Sequence, residues 1–269
     1  MAKRMLRAIG IGVSLTLAPL AMAGAAQAAS CGRTAAGFDA WKQEFAQEAR
    51  GQGIGAGAIA ALMGANYATA TIRADRGMHS FKLSFDQFMK KRGGAAIISR
   101  GRSLKQQNAA LFAQIKSRYG VPAGPLLAIW GMETGFGAIH GNQNMLSSVA
   151  TLAYDCRRPE FFTEHLYAAL KLIDKGVFSA STRGSMHGEV GQTQFMPKAV
   201  LQYGQGSLET SSGALMSTAA FLKGHGWRAG AGYGPGEPNY SAIAGWNAAT
   251  VYQQAIAHIG KAIDGAGDD

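Results

Sequence analysis

The stretch Leu126–Gly137, LLAIWGMETGFG, constrains the fold more than any other part of this 269-residue chain. Leu126, Leu127, Ile129, Trp130 and Met132 make a nearly unbroken apolar run that carries one carboxylate, Glu133. Read as a helix, positions 126, 129, 130 and 133 share a face, so the acid ends a stripe that has to be buried. A carboxyl in such a place loses hydration, which favours its neutral form and raises its pKa. That is the property of a general acid working near neutral pH. Gly131, Gly135 and Gly137 leave little bulk around it, so a large ligand can come close. The plainer reading of the same residue is a helix-end glutamate that is solvated or ion-paired.

Helical spacing recurs along the chain, with little alternating pattern and no internal repeat, so the chain reads as mainly α. Phe38, Trp41, Phe45 and Ala49 mark an amphipathic helix stopped by Gly51 and Gly53, and residues 56–64 another small one. Phe81, Phe85 and Phe88 form an aromatic stripe between Lys82 and Lys90, read as core rather than as a sugar-stacking surface. One helix is expected over 95–119, with Leu104, Leu111, Phe112 and Ile115 on one face. Gly120-Val121-Pro122 then breaks the chain before the central helix. Further helices are expected over 144–154, 159–174, from Pro197, over 211–225 and over 246–263. A Gly/Pro-rich loop joins the last two between Gly224 and Pro238. Between 176 and 197 the glycine-rich text carries Ser, Gln and Phe, as a binding loop or a flexible connector would.

The first 28 residues read differently. Lys3, Arg4 and Arg7 precede the apolar Ala8–Ala23 and an Ala26-Gln27-Ala28 cleavage site, the pattern of a secretory signal peptide. Setting aside those three basic residues lowers the formal charge from +10 to +7. A basic exported protein meets acidic polymers or anionic surfaces, although the charge also serves solubility. No nucleic-acid motif is present, and no apolar run of the mature chain is long enough to span a membrane. In an oxidising compartment the two cysteines, Cys31 and Cys156, point to a disulfide. The rival is a lipid-modified Cys31, an outer-membrane lipoprotein, but Ala28-Ala29-Ser30 lacks the usual Leu three places before the cysteine.

Several chemistries find no support. The six histidines are scattered with no metal-ligand spacing, so neither a metal nor a cofactor is expected. No GxSxG elbow or P-loop lysine is present.

Taken in order, YGVP, GMETGFG, LAYDCRRPEFF, GQTQFMP, FLKGHGW and a late Trp-Asn resemble one family, the membrane-bound B-type lytic murein transglycosylases. More narrowly, the chain resembles glycoside hydrolase family 103 and its periplasmic alphaproteobacterial branch, from about residue 36 to 263. The resemblance implies a lysozyme-like catalytic core with additional helices and a small β element, in one catalytic domain over 29–269 with two lobes around a cleft. It also implies cleavage of the β-1,4 bond between N-acetylmuramic acid and N-acetylglucosamine, with a 1,6-anhydro product. The implied partner is a peptidoglycan strand with its stem peptides, met in the periplasm by a monomer. A hydrolytic muramidase and a non-catalytic peptidoglycan-binding protein are the alternatives.

Glu133 matches the family's catalytic glutamate, acid first and base second. Ser185 matches a residue that hydrogen-bonds near that glutamate or the substrate. Gln194 and Phe195 match a cleft amide and ring, and Arg157 and Arg158 a basic pair that meets the stem-peptide or lactyl carboxylate. Trp246 and Asn247 match a late aromatic–Asn pair that is often Tyr-Asn, and Phe221 stands where some relatives have Tyr. Glu189 joins this set. Where relatives carry an Asp/Gly-rich stretch resembling a calcium loop, this chain has only GQGSLETSS. It lacks the spaced oxygen ligands, so no calcium is expected, and the short connection should reshape one side of the cleft.

Overall fold

A computed structural model describes residues 30–77 and 83–265. The leader over 1–28, Phe81 and Lys82 lie outside them. The described residues form thirteen α-helices and one two-stranded sheet. The first group of helices is α1 (Phe38–Gly51), α2 (Ala56–Met63), α3 (Thr69–Arg76), α4 (Phe85–Arg92), α5 (Gly94–Gln107) and α6 (Ala109–Tyr119). The central helix is α7 (Ala123–Thr134). After it come α8 (Met145–Tyr154), α9 (Pro159–Asp174), α10 (Pro197–Tyr203), α11 (Ser211–Gly224), α12 (Tyr240–Trp246) and α13 (Thr250–Asp264). Strands β1 (Gln143–Asn144) and β2 (Arg183–Gly184) pair antiparallel across the α8–α9 excursion rather than as a hairpin.

The apolar stripes assemble into two clusters. One joins α1, α2, α8 and α9 through Phe38, Trp41, Leu62, Leu146, Phe162 and Leu170, and takes in Val190 and Phe195 from the following loop. The other surrounds α7, with Phe88, Ile115, Leu126, Ile129, Trp227 and Ile256. Each large side chain so buried contributes about 1.5–3 kcal/mol. Phe221 and Trp246 are half-buried and pack against both clusters, so they mark the seam.

Helix α7 sits inside the second cluster because it has almost nothing polar to expose: every residue from Ala123 to Met132 is buried. Its close partner is α13. A Cβ on Gly124 would stand 2.3 Å from the Gly260 carbonyl oxygen, so the two glycines let the backbones touch. A side chain there would force the helices apart, at a cost of about 1–3 kcal/mol. The contact is pinned by Asp264, whose Oδ1 accepts the Gly124 N–H at 2.7 Å.

Two expected helices are divided. The 95–119 segment breaks at Asn108, whose Nδ2 donates to the Leu104 carbonyl at 2.9 Å, the local competition that shortens helices at asparagine. The 246–263 segment starts only at Thr250: Trp246 ends α12, and extended Asn247 accepts the Ala249 N–H on Oδ1 at 3.0 Å. Helix α3 and most of α12, only eight and seven residues long, were not expected. Phe88 of the aromatic stripe is fully buried core, as read.

Cys31 and Cys156 are joined, across 125 positions. A loop of this length is worth about 5 kcal/mol in the chain-entropy model. The Gly32 N–H donates to the Tyr154 carbonyl and the Cys156 N–H to the Gly32 carbonyl, so the bond ties the start of the described chain to the α8–α9 turn.

Candidate active site

Helix α7 ends one residue after Glu133. Gly135 takes the left-handed conformation, φ 59°, and returns its N–H to the Gly131 carbonyl, which stops the helix with Glu133 in its last turn. Thr134 fixes what lies next to it. Its hydroxyl donates to the Gln192 carbonyl at 2.5 Å and accepts the Gly137 N–H at 2.9 Å, so the 185–195 loop is fastened to the end of α7.

Glu133 is half-buried at the seam. Its Oε1 accepts two neutral hydrogen bonds, from the Tyr252 hydroxyl at 2.6 Å and from the Trp246 indole N–H at 3.1 Å. No described residue hydrogen-bonds Oε2. Burial is the main cause that raises this carboxyl, to about 7. The Tyr252 bond pulls it down, the Glu189 charge pushes it up, and the Trp246 bond and the Arg92 charge pull it down again. Desolvation wins because neutral donors replace only part of the hydration a carboxylate loses. Burial also holds the Tyr252 hydroxyl well above its ordinary value, so it remains a donor. Arg92 stands over the rings of Phe88 and Tyr252, 5.4 and 5.7 Å from their centroids, and donates to the Met132 carbonyl at 3.3 Å.

Ser185 does not bond Glu133. Its hydroxyl donates to Glu189 Oε2 at 2.6 Å and accepts the N–H groups of His187 and Glu189 at 3.1 and 3.2 Å. The glycine loop is thus closed on itself, with the Glu189 carboxylate held by Ser185 near enough to act on Glu133 through its charge. Gln194 has φ 54°, costly for a residue with a side chain, and its Nε2 donates to the Gly191 carbonyl at 2.8 Å. Phe195 is 2 % exposed. Instead of offering a face to a ligand, it meets Trp246 and Phe221 edge-on, with ring centroids 5.2 and 6.0 Å away, and so supports the indole that donates to Glu133. Phe221 stacks on His225 at 3.9 Å. Asn247 follows α12 at the same edge, and its Oδ1 accepts the Ala249 N–H just before α13.

Arg157 and Arg158 stand apart from this group. Both guanidinium groups bond the carboxylate of Asp75, which is 2 % exposed. Burial pushes Asp75 up, but Arg157 and Arg158 outweigh it and hold the carboxyl below its ordinary value. His187 Nε2 lies 3.8 Å from the same carboxylate. The pair therefore joins the α8–α9 turn to α3, beside the Ser185 loop.

Tyr252 and Arg92 were absent from the expected set. Tyr252 left one signal, a phenol inside the apolar stripe of α13, since a buried tyrosine hydroxyl needs a partner. Arg92 left none, because α4 meets α13 only in the fold.

A groove of about 870 Å3 adjoins the site. Val190, Gly191 and Gln194 line it from the loop that Thr134 fastens to α7, and Gly204, Gly206, Ser207, Leu208 and Glu209 from the short connection before α11; Glu133 itself is not on its wall. Among the described residues no three His, Cys, Asp or Glu side chains could hold a metal ion.

A buried helix that ends on a carboxyl at the seam of two apolar clusters, within thirteen helices and a minimal sheet, defines a lysozyme-like fold, and solved structures agree. SltB3 from Pseudomonas aeruginosa, in complex with NAG-anhNAM-pentapeptide, superposes with a TM-score of 0.77 at 27% identity, over 85% of this chain and 80% of that one. Slt35 of Escherichia coli, a lytic transglycosylase in complex with bulgecin A, gives 0.69 at 21% identity, over 87% and 96%, and shares the fold. The membrane-bound lytic murein transglycosylase B of Escherichia coli K12 is 34% identical over 137 residues, 45% of this chain and 38% of its own length. Residues 37–236 match the transglycosylase SLT domain, and the chain belongs to that family.

Proposed function

We propose that the protein is a peptidoglycan lytic transglycosylase of the B-type, family 103 branch, acting in the periplasm as a monomer after loss of residues 1–28. It cleaves the β-1,4 bond between N-acetylmuramic acid and N-acetylglucosamine and leaves a 1,6-anhydromuramoyl end. The observation that carries this reading is Glu133, a carboxyl with a proton affinity near pH 7, hydrogen-bonded on Oε1 only by neutral donors. Such a group gives a proton to the leaving glycosidic oxygen as the C1–O bond breaks. As carboxylate, stabilised by Tyr252 and Trp246, it then takes the proton of the muramoyl 6-hydroxyl as that oxygen bonds to C1. The attacking oxygen comes from the sugar, so one carboxyl serves both halves.

Around it, Gln194 and Asn247 bind the sugar's N-acetyl and hydroxyl groups, and Phe221 and Trp246 wall the cleft. None of the described helices is long and apolar enough to cross a membrane. SltB3 has also been seen with NAG-NAM-pentapeptide, and the relative in Escherichia coli is named for murein, which supports the same polymer as substrate here.

Glu189 favours one competing reading. A second carboxylate beside the first is what a water-using muramidase needs. Products decide between them: digestion of purified sacculi should release muropeptides one water lighter than hydrolytic fragments, and reducing ends alone would overturn the proposal. Glu133→Gln should abolish clearing while sacculus binding persists; clearing by both forms would refute Glu133 as the acid.

A further inference from the structure

The carbonyl end of a helix carries partial negative charge and disfavours an anion beside it. Glu133 stands in the last turn of α7, so a carboxyl that has to ionise there needs an offsetting group. Neighbouring carbonyls are satisfied by backbone: that of Trp130 accepts the Phe136 N–H, that of Gly131 the Gly135 N–H and that of Thr134 the Ile139 N–H. The Met132 carbonyl instead accepts from the Arg92 guanidinium, at 3.3 Å. This donor comes from the end of α4, where Gly93, at φ 69°, closes that helix and opens α5 in a single residue. Ile97 of α5 lies against Gly131, where an added Cβ would stand 2.5 Å from it. The joint that bears Arg92 is thereby seated on the last turn of α7.

We propose that Arg92 is a positioning residue for the acid: it caps α7, holds the Tyr252 hydroxyl on Glu133 and sets a positive charge against that of Glu189. The inference rests on the transglycosylase reading above. Although Arg92 is an exposed residue, its guanidinium lies over the rings of Phe88 and Tyr252. Both rings are buried and meet edge to face, with centroids 5.8 Å apart. A cation is attracted to the π electrons of such a face, and over a phenol it makes the O–H a better donor. Among the described residues no carboxylate forms an ion pair with Arg92, which leaves its charge to act on Glu133. The other charge acting there is Glu189, from the 185–195 loop, while α12 and α13 present the neutral Trp246 and Tyr252. Arg100 of α5 is turned onto the Phe136 ring, at 5.3 Å.

The pH dependence of kcat/KM on soluble glycan strands reads this role in the full chain. Arg92→Gln removes the charge, so the falling alkaline limb should move to higher pH. Its kcat should fall about three- to tenfold, the effect of one weakened charge-assisted contact. Arg92→Lys keeps a cation and should leave the limb in place. In Tyr252→Phe protein, Arg92→Gln should move the limb less than in the parent, because part of its effect passes through the phenol. An unmoved limb in Arg92→Gln overturns the inference, and so does a lysine variant whose limb moves as the glutamine variant's does. A move undiminished by Tyr252→Phe overturns it as well. A lower urea midpoint with the limb unmoved is what a merely structural arginine would give. Arg92→Ala carries the same expectation and replaces Arg92→Gln should the latter not fold. Product mass tests the transglycosylase reading separately: hydrolytic products would refute that reading, while the limb would still decide the role of Arg92.

Discussion

Tyr252 on α13 donates a 2.6 Å hydrogen bond to Oε1 of Glu133 on α7, across 119 positions of sequence. The bond exists because Gly124 and Gly260 let the two helices touch, so a packing choice a helix length away sets the hydration of the acid. Tyr252→Phe keeps the ring and removes the donor. A donor stabilises the ionised carboxyl, so its loss should move Glu133 above about 7 and make it a weaker proton donor in the acid half of the cycle. A bond to a charged group is worth about 1.5–3 kcal/mol, which predicts a fall in kcat of roughly ten- to a hundredfold. An unaltered pH profile would show that the bond does not tune the acid.

Glu133 should also leave a mark on stability. Folding raises its carboxyl from an ordinary 4.5 to about 7, so between those values the native state holds a proton that the unfolded chain has lost. Stability from this group is intact below about pH 4.5, declines as pH rises to about 7, and stays reduced above. Glutamine never ionises, so Glu133→Gln should be more stable than the parent by on the order of 1–3 kcal/mol at pH 8 and equal to it near pH 4. Urea unfolding at both values measures the difference.

Glu189 acts on Glu133 through charge alone and opposes ionisation. Glu189→Gln should therefore lower the proton affinity of Glu133 and shift the falling alkaline limb of kcat/KM toward lower pH. The hydrogen bond from Ser185 has an oxygen to reach in either variant. A limb that stays in place would mean that water screens the two carboxyls from each other.

Asp75 predicts a structural rather than a catalytic phenotype. Asp75→Asn leaves Arg157 and Arg158 facing a neutral amide in a buried site. Breaking such a pair costs up to about 3–5 kcal/mol, and the half-exposed arginines place the expectation at about 2–3. The parent should show the complementary dependence: its carboxyl lies below the ordinary value, so this contribution holds at neutral pH and is lost as pH falls below about 3.8. Acid unfolding of the two proteins should converge at low pH.

Much of this was legible in the sequence. Apolar spacing located most helices because a helix must turn one face to the core, and the 159–174 helix fell on its observed bounds because proline starts it and Gly176 stops the chain beyond it. Oxidising export and a count of two brought Cys31 and Cys156 together in expectation before the fold did. The apolar run before Glu133 implied a desolvated acid, and the proton affinity near 7 follows from it.

What spacing could not carry was partnership between distant elements. The sequence determined that a carboxyl would end a buried helix, since that depends on residues within two turns. Only the tertiary structure decided which groups meet it: Tyr252 rather than Ser185, an indole braced by a buried Phe195, and two arginines turned onto Asp75. Burial is a property that a local stretch can enforce, whereas a hydrogen bond of 2.6 Å depends on how whole helices cross, and that is fixed by every contact between them.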